Sequence, residues 1–430
     1  MSRLKKLKKD GYTMSFALKQ QPSELSFEEV AAKYPQFPRL VMLKTDIQRR
    51  GVYYTDRALS VADPAIHQLA GTHIFGTRDG ILTHRPEAFI LRDGTSVLTS
   101  PTPLEENPYI VDLCDGRLVL LDKGQEIEEI EYWTKPDYYN LTTSTGVPMS
   151  HVASARPQRI YIMPSRYCHF WSDNQGCLFC DIVNNLKQQK SELDLPPKLK
   201  PRDVAETIKE ALKEPGRFTA ICLTSGSDFH GGVPFDTEVD YYIEILQAVG
   251  ENFKTAKFPS QLISTAFTEK QLARIYEQTG ILSYTPDIEV LNEKLFAWIC
   301  PGKARWVGYR EWKQRLIRAV DIFDRGYVNT CIVAGVELAK PHGFTDEDEA
   351  LKAVLEEAED LASHGVSTVY TVWVPRPGSY LRGQKNASLD YYVRLAAGLH
   401  ELRKKYNLPI DHDDYRRCGN HPDSDLGRLL

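Results

Sequence analysis

Three cysteines stand close together in the chain and carry its clearest chemical signal. Cys168, Cys177 and Cys180 fall within "SRYCHFWSDNQGCLFCD" (165–181) with the spacing C-x8-C-x2-C, although the 430 residues hold only eight cysteines. In a chain without a secretory signal, clustered cysteines are more often metal ligands than disulfides. Thiolates suit both zinc and iron–sulfur clusters, so the spacing alone leaves both open, with three unligated thiols as a third possibility.

The two metals make different demands on this loop. Structural zinc takes four ligands, usually in two pairs, and the loop has a single C-x2-C pair. His169 could serve as a fourth ligand, but it adjoins Cys168 and has an awkward reach. A 4Fe–4S cluster can be held by three thiolates, which leaves one iron open to a ligand. A thiol redox protein using Cys177 and Cys180 would leave Cys168 idle.

The composition narrows the class of partner. Lys and Arg number 53 and Asp and Glu 58, which gives a net charge of −5 and no global bias toward nucleic acid or membranes. No run approaches the roughly 18 apolar residues of a membrane span, and the basic N-terminus is not followed by the apolar segment of a secretory signal. We therefore expect a cytoplasmic protein that binds neither nucleic acid nor membrane.

Alternating strands and amphipathic helices begin near residue 157. We predict strands at 159–164, 218–225, 260–265, 282–290, 327–337 and 366–375, with helices between them. Asp203 and Thr237 are the predicted starts of two helices, and Thr268 forms a predicted capping box with Gln271. Apolar strands in repeated βα units predict a parallel sheet with helices outside. The expected fold is α/β, a partial (β/α)6 TIM-type barrel, whose chemistry lies at the carboxyl ends of the strands.

The rest of the chain has a different character. Asp-Gly pairs at 79–80, 93–94 and 115–116 separate short strand-like runs, which predicts hairpins, and a helix or two are expected near 26–70. The polar stretch 185–202 is expected to be a mobile loop at the barrel mouth. We therefore predict three parts, which are a β-rich N-terminal accessory domain (1–156), the barrel (157–405) and a C-terminal extension able to cover the barrel mouth (406–430).

The cysteine loop resembles that of the radical S-adenosylmethionine (SAM) enzymes. Their usual signature is C-x3-C-x2-C after the first barrel strand, with an aromatic residue before the last cysteine, and here Phe179 precedes Cys180. The first spacing of eight departs from the usual three. The resemblance implies that Cys168, Cys177 and Cys180 hold a 4Fe–4S cluster. It also implies that the cluster would reductively cleave SAM to a 5′-deoxyadenosyl radical, which would abstract hydrogen from a substrate.

The resemblance also implies a set of SAM contacts at the ends of later strands. A Gly-rich stretch after the second strand would receive the SAM amino group, and polar residues near the fourth would hold its ribose or amino group. Apolar residues at the fifth and sixth would pack on adenine, and Arg305 could clamp a carboxylate of SAM or of the substrate. The counterparts here are Thr224, Ser225, Gly226, Ser227, Glu289, Arg305, Val333, Gly335, Glu337, Val374 and Pro375. On local evidence, each of them also fits a turn, a surface ion pair or a buried strand.

Several residues outside these motifs remain candidates. Cys331, inside the fifth strand, could donate hydrogen to a substrate radical if it points inward, and it is otherwise a small core residue. Cys418 is a second catalytic candidate, and with His421 it could instead bind a metal. His230 could contact substrate near the mouth. Cys222 and Cys300 are interpreted as core or loop positions.

The substrate class and the partners are expectations of a broader kind. We expect a small organic substrate and, by resemblance, a flavodoxin- or ferredoxin-type electron donor. A peptide-modifying radical SAM enzyme, whose β-rich N-terminal region presents the peptide, is one alternative. A non-catalytic zinc-binding barrel is the other.

Overall fold

The computed structural model describes residues 6–9, 12–15, 24–66, 85–184, 186–187, 197–376, 378–408 and 419–429. Its strands, in chain order, are β1 (Lys6–Lys9), β2 (Tyr12–Ser15), β3 (Val52–Tyr54), β4 (Ala88–Leu91), β5 (Ser96–Leu98), β6 (Tyr109–Cys114), β7 (Arg117–Asp122), β8 (Gln125–Glu131), β9 (Ala153–Arg156), β10 (Arg159–Ile162), β11 (Ala220–Thr224), β12 (Ser260–Ile263), β13 (Ser283–Thr285), β14 (Val328–Ala334) and β15 (Val366–Val372). Its α-helices are α1 (Phe27–Lys33), α2 (Arg39–Arg50), α3 (Asp56–Ser60), α4 (Met149–Val152), α5 (Pro201–Ala211), α6 (Asp236–Gly250), α7 (Glu269–Gln278), α8 (Glu293–Ile299), α9 (Pro301–Trp306), α10 (Tyr309–Phe323), α11 (Glu347–Ser363), α12 (Leu389–Tyr406) and α13 (Leu426–Leu429).

A seven-stranded sheet forms the centre of the molecule. Its order is β15-β14-β13-β12-β11-β10-β9, with β10 to β15 parallel in chain order and β9 antiparallel at the β10 edge. Helices connect successive parallel strands, and the strands are almost entirely buried because both faces are covered. The predicted α/β partial barrel of six βα units with a β-rich N-terminal region is therefore confirmed.

All six barrel strands are shorter than predicted, and for β13, which falls short by the most residues, the cause is a proline. β13 ends at Thr285, directly before Pro286, and it pairs with β14 only at Tyr284. Proline has no N–H to give to a ladder, so regular pairing stops there. The chain rejoins β14 through a single bridge between Glu289 and Ile332. A gap thus opens between the two strands at their carboxyl ends.

Two of the three predicted helix starts are wrong by a short distance. The capping box of Thr268 and Gln271 is present and begins α7. Asp203, by contrast, lies inside α5, which begins at Pro201 because proline is well suited to the first helical position. Thr237 is the second residue of α6, which begins at Asp236. These offsets leave the predicted helices themselves in place.

The N-terminal region forms a second, six-stranded sheet of order β3-β6-β7-β8-β4-β5. The predicted hairpins at Asp93-Gly94 and Asp115-Gly116 are present, and Asp115 and Gly116 both have the positive φ of a tight hairpin turn. The predicted turn at 79–80 lies outside the described residues, as does most of the predicted mobile loop at 185–202. The expected helices near 26–70 are α1 to α3.

The segment 419–429 returns to the barrel and packs between α2, α12 and β15. Asp423 accepts a hydrogen bond from Arg403 of α12 at 2.8 Å, and Asp425 accepts one from Lys44 of α2 at 2.6 Å, all with buried side chains. The Leu98 N–H donates to the Gly419 carbonyl oxygen at 3.1 Å. Within the part of the chain that the structure describes, no helix combines the length and apolarity needed to cross a bilayer.

Candidate functional site

The cysteine loop follows β10 and is fastened on both sides by backbone hydrogen bonds. The His169 N–H donates to the Ser227 carbonyl oxygen at 2.8 Å, and the Leu178 N–H donates to the Ile299 carbonyl oxygen at 2.8 Å. A tight turn closes the C-x2-C pair, with the Cys180 N–H donating to the Cys177 carbonyl oxygen at 3.0 Å. The eight-residue spacer contains a short 3-10 helix, His169–Asp173. The longer spacing therefore adds a structured turn between the first two cysteines.

All three cysteines line one cavity of about 300 Å³ at the carboxyl ends of the parallel strands. Burial and the neighbouring Cys177 raise the pKa of Cys168 to about 12, and the same two causes raise the pKa of Cys180. Thiols crowded together away from water stay protonated unless a cation compensates their charge. The trio therefore has the donor chemistry of a metal centre.

The spacing of the sulfur atoms bears on which metal fits. In a tetrahedral zinc site, thiolate sulfurs lie about 3.8 Å apart, given Zn–S bonds of about 2.3 Å. Among the described residues, no three cysteine sulfurs come within 4.8 Å of one another. A cluster of several irons separates its thiolates more widely than one zinc ion does. The three sulfur atoms are therefore not drawn together in the way that the ligands of a single zinc ion are.

A fourth thiol lies beside the trio, and sequence reasoning missed its role. Cys300 is buried, does not line the cavity, and lies beside Cys177, which acts on its pKa. Burial raises its pKa, and Cys177 raises it further. The position before Pro301, where α8 passes into α9, gave no sign in the sequence that Cys300 would approach a loop more than a hundred residues earlier. Cys300 therefore sits behind the cavity wall as a neighbour of Cys177.

The loop after β11 lies directly against the cysteine loop. Its four predicted residues, Thr224 to Ser227, all line the cavity. A Cβ on Gly226 would stand 2.5 Å from the Cα and Cβ of Cys168, which no side chain can occupy. Ser225 accepts a hydrogen bond from the Ser165 N–H at 2.9 Å, and Ser227 accepts one from Thr265 at 2.8 Å. Both hydroxyls already have protein partners, so the free surface of this loop is largely backbone.

The gap between β13 and β14 holds a group of charged side chains that are largely shielded from solvent. Glu289 has a φ of +69°, and its carboxylate accepts a hydrogen bond from Lys303 at 2.6 Å. Lys303 also donates to the Asp287 carbonyl oxygen at 2.5 Å, and the Asp287 carboxylate accepts from the Cys331 N–H at 2.9 Å. Burial and the charge of Glu289 raise the pKa of Asp287 to about 8. The positive φ of Glu289 is the kind of backbone strain that concentrates at functional sites.

The remaining predicted residues divide into two groups. Cys331, Val333 and Val374 line the cavity. Gly335 and Glu337 lie beyond it, where the buried Glu337 carboxylate accepts from the Gly335 N–H at 2.9 Å and from Tyr391. The other members that the structure does not bring to the cavity wall are Pro375 and Arg305.

Three further candidates differ in where they lie relative to the cavity. The Arg305 side chain is 60% exposed and faces Asp173 at 3.9 Å, so it points to solvent rather than into the cavity. Cys418 lies outside the described residues. His421 does line the cavity, with Nδ1 3.0 Å from the Tyr370 carbonyl oxygen and 3.9 Å from the Cys331 sulfur.

A second wall of the cavity, formed by charged residues, was not predicted. Arg156 forms an ion pair with Glu87 at 2.8 Å, with both side chains almost fully buried, and stacks on the Tyr161 ring at 4.6 Å. Arg376 also lines the cavity, and burial lowers its pKa to about 9 although Asp181 and Cys180 act in the other direction. These residues come from both sheets and are up to 289 positions apart, so no sequence spacing could have brought them together.

The chain is similar to a number of distant solved structures, two of which are compared below. No family model and no curated protein matches the chain. A radical SAM methyltransferase from Sphaerobacter thermophilus aligns over 93% of this chain and 98% of its own, with 14% identity and a TM-score of 0.39. The cobalamin-dependent S-adenosylmethionine radical enzyme OxsB aligns over 73% of this chain and 40% of its own, with 14% identity and a TM-score of 0.32. Because these identities and TM-scores are low, the function of this chain has to be argued from its own residues.

Proposed function

We propose that the chain is a radical SAM enzyme whose 4Fe–4S cluster is held by Cys168, Cys177 and Cys180. The observation that carries the proposal is that the thiols of all three cysteines line one cavity at the carboxyl ends of a parallel half-barrel, without the close approach of the sulfur atoms that a single zinc ion requires. When bound, such a cluster would supply the electron that cleaves SAM to methionine and a 5′-deoxyadenosyl radical. The chain's own residues would bind SAM, orient it and exclude water.

The binding roles follow from the groups that line the cavity. The backbone of the loop after β11 would receive the SAM amino group, because glycine at 226 lets that backbone come close. The Glu289 carboxylate, held by Lys303, would accept hydrogen bonds from ribose hydroxyls or an ammonium. Val333 and Val374 would pack on adenine. The largely buried Phe170 and Trp373 complete an apolar surface beside these groups.

The size of the cavity supports a small organic substrate over a peptide. About 300 Å³ is at the lower end of the range for small-ligand sites. The second wall, with Arg156, Glu87 and Arg376, offers polar partners to a substrate that enters beside SAM. Cys331 also lines the cavity and is our candidate hydrogen donor to a substrate radical. A flavodoxin- or ferredoxin-type protein is the electron donor we propose.

The test is anaerobic reconstitution of the full chain with iron and sulfide. We expect about four iron and four sulfide ions per chain, and formation of 5′-deoxyadenosine when SAM and a reductant are added. Cys180→Ser should lose both the cluster and the cleavage of SAM. Cys114→Ser is the matched control, because Cys114 is also partly exposed but lies on β6 of the N-terminal sheet.

One observation favours the alternative of a non-catalytic zinc protein, namely the fourth thiol of Cys300 beside Cys177. Metal analysis separates the two functions. A colourless protein with one zinc per chain that depends on Cys300 would overturn the radical SAM proposal. So would SAM cleavage that persists when Cys168, Cys177 and Cys180 are all replaced by serine.

A further inference from the structure

Two histidines and an aspartate meet just outside the cavity, next to the cysteine loop. The ring nitrogens of His169 and His230 and a carboxylate oxygen of Asp228 all lie within 4.8 Å of one another. His169 Nε2 is 3.6 Å from Asp228 Oδ2, and His230 Nδ1 is 2.6 Å from Asp228 Oδ1. None of the three residues lines the cavity that holds the cysteines. Among the described residues, this is the one set of three metal-ligating side chains that converges so closely.

We propose that His169, Asp228 and His230 form a binding site for a divalent transition-metal ion, of which Zn²⁺ is the representative. Two imidazoles and a carboxylate are donors that Zn²⁺ and its first-row neighbours accept, with water in the fourth position. Ligand atoms in a tetrahedral site with bonds of about 2.05 Å lie about 3.4 Å apart. The separation of 3.6 Å between His169 and Asp228 already has that scale.

The backbones of His169 and Asp228 and the two imidazole rings are also held by contacts that leave the ligand atoms unused. The His169 N–H is bonded to the Ser227 carbonyl oxygen at 2.8 Å. The Asp228 N–H donates to the buried carboxylate of Glu238 at 2.8 Å. The Phe229 ring packs against both imidazoles, stacked on His230 with centroids 4.8 Å apart and edge-on to His169 at 6.1 Å. A site arranged in this way needs little reordering to bind an ion.

The direction from which an ion can reach the site is determined by how exposed each of the three side chains is. Asp228 and His169 are largely covered, with 12% and 25% of their side chains exposed, whereas His230 is 57% exposed. An ion would therefore approach from the His230 side. Its binding would replace the hydrogen bond between His230 and Asp228 with two metal bonds.

A lysine competes with the ion for the same carboxylate. Lys198 Nζ lies 3.8 Å from Asp228 Oδ2, and nearly half of its side chain is exposed. An ion pair of this length and exposure contributes little to stability, and a mobile lysine can move away from an incoming cation. Removing Lys198 should accordingly strengthen metal binding, which a purely structural Asp–His pair does not predict.

The position of the site gives the ion a role. His169 directly follows Cys168, and Asp228 directly follows Ser227, so one ion would tie the cysteine loop to the loop after β11. These are the two loops that would hold the cluster and the SAM amino group, so this role rests on the proposed function. The binding of the ion itself does not depend on it.

The experiment is a Co²⁺ titration of the cluster-loaded full-length protein, followed by its visible spectrum. We expect one equivalent of Co²⁺ to bind, without the intense thiolate-to-cobalt charge-transfer bands that cysteine ligands produce, and to be displaced by Zn²⁺. His230→Ala and Asp228→Asn should each weaken this binding about 10-fold or more, while Lys198→Ala should strengthen it. Thermal unfolding of each variant without metal checks that the fold is retained.

His364→Ala is the matched control, because His364 also lies near an aspartate, Asp360 at 3.8 Å, but no third ligand joins them. This variant should bind Co²⁺ like the parent chain. The proposal is overturned if Co²⁺ does not bind, if binding is unchanged in His230→Ala, or if charge-transfer bands show thiolate ligands. Iron content and SAM cleavage are measured on the same samples, so that a failure of the proposed function is seen separately.

Discussion

At the scale of single residues, two structural constraints at position 226 require glycine. Its backbone faces the cavity where a ligand would bind, and its missing side chain leaves room for Cys168. Sequence reasoning found the first constraint from the Gly-rich stretch after a strand. It could not find the second, because the contact joins residues that are 58 positions apart.

We predict that Gly226→Ala separates the two loops. The added Cβ would stand 2.5 Å from backbone and side-chain atoms of Cys168, so the cysteine loop must shift, at a cost of about 1–3 kcal/mol. Iron retained after anaerobic reconstitution should fall to less than about half of the parent value, with SAM cleavage falling further. Gly232→Ala, in the same loop but with its nearest atom 3.8 Å away, should keep both. Equal iron content in the two variants would contradict this account.

At the scale of elements, the buried ion pair of Lys44 and Asp425 joins α2 to the segment 419–429. Both side chains have no exposed surface, and their charged atoms are 2.6 Å apart. Breaking a buried pair by removing one partner is far more costly than replacing both, because one charge is left without compensation. The segment 419–429 is thus held to the N-terminal region by an ion pair whose disruption on one side should be strongly destabilising.

We predict that Lys44→Met lowers the free energy of unfolding by about 3–5 kcal/mol. The double variant Lys44→Met with Asp425→Leu should lose clearly less, which denaturant unfolding of the four members of the cycle would measure. Lys213→Met is the surface control, since Lys213 pairs with Glu210 in water and should matter by about 1 kcal/mol or less. If Lys44→Met behaves like this control, the pair does not hold the segment in place.

The elements also show where sequence periodicity stops being informative. The order of strands and helices followed from apolar patterns, and the capping box of Thr268 was legible because both of its partners are local. The shortening of β13 depended on how Pro286 breaks one ladder, and the start of α5 depended on proline at its first position. Patterns over a few residues therefore located the elements, while their ends were decided by single residues.

At the scale of the whole molecule, the cavity is built by both sheets. Leu98, Thr99 and Ser100 of the N-terminal region face it together with Arg156 and the cysteines. The barrel and the cysteine loop could be predicted from the sequence, but the second wall could not, because its residues are polar, scattered and brought together only by packing. The same holds for Cys300 beside Cys177.

We predict that SAM alone protects both walls from hydrogen exchange. Residues 98–100 of the N-terminal region and 224–227 of the barrel line the same cavity, so we expect bound SAM to cover both. Hydrogen exchange measured by mass spectrometry on the cluster-loaded chain should slow at 98–100 and at 224–227. The exposed turn between β7 and β8 at 123–124 should not change. Protection confined to the barrel would argue against a shared cavity.

The docking of residues 419–429 also implies an order of events during biosynthesis. A ribosome makes Asn420 and His421 after all six parallel strands, yet both belong to the wall around the cysteines. Until this segment folds back against α2, the nascent barrel is open on that side. An iron–sulfur cluster delivered by a carrier would have its widest route to the thiols in that interval. Docking of the segment would then block that route and enclose the cluster.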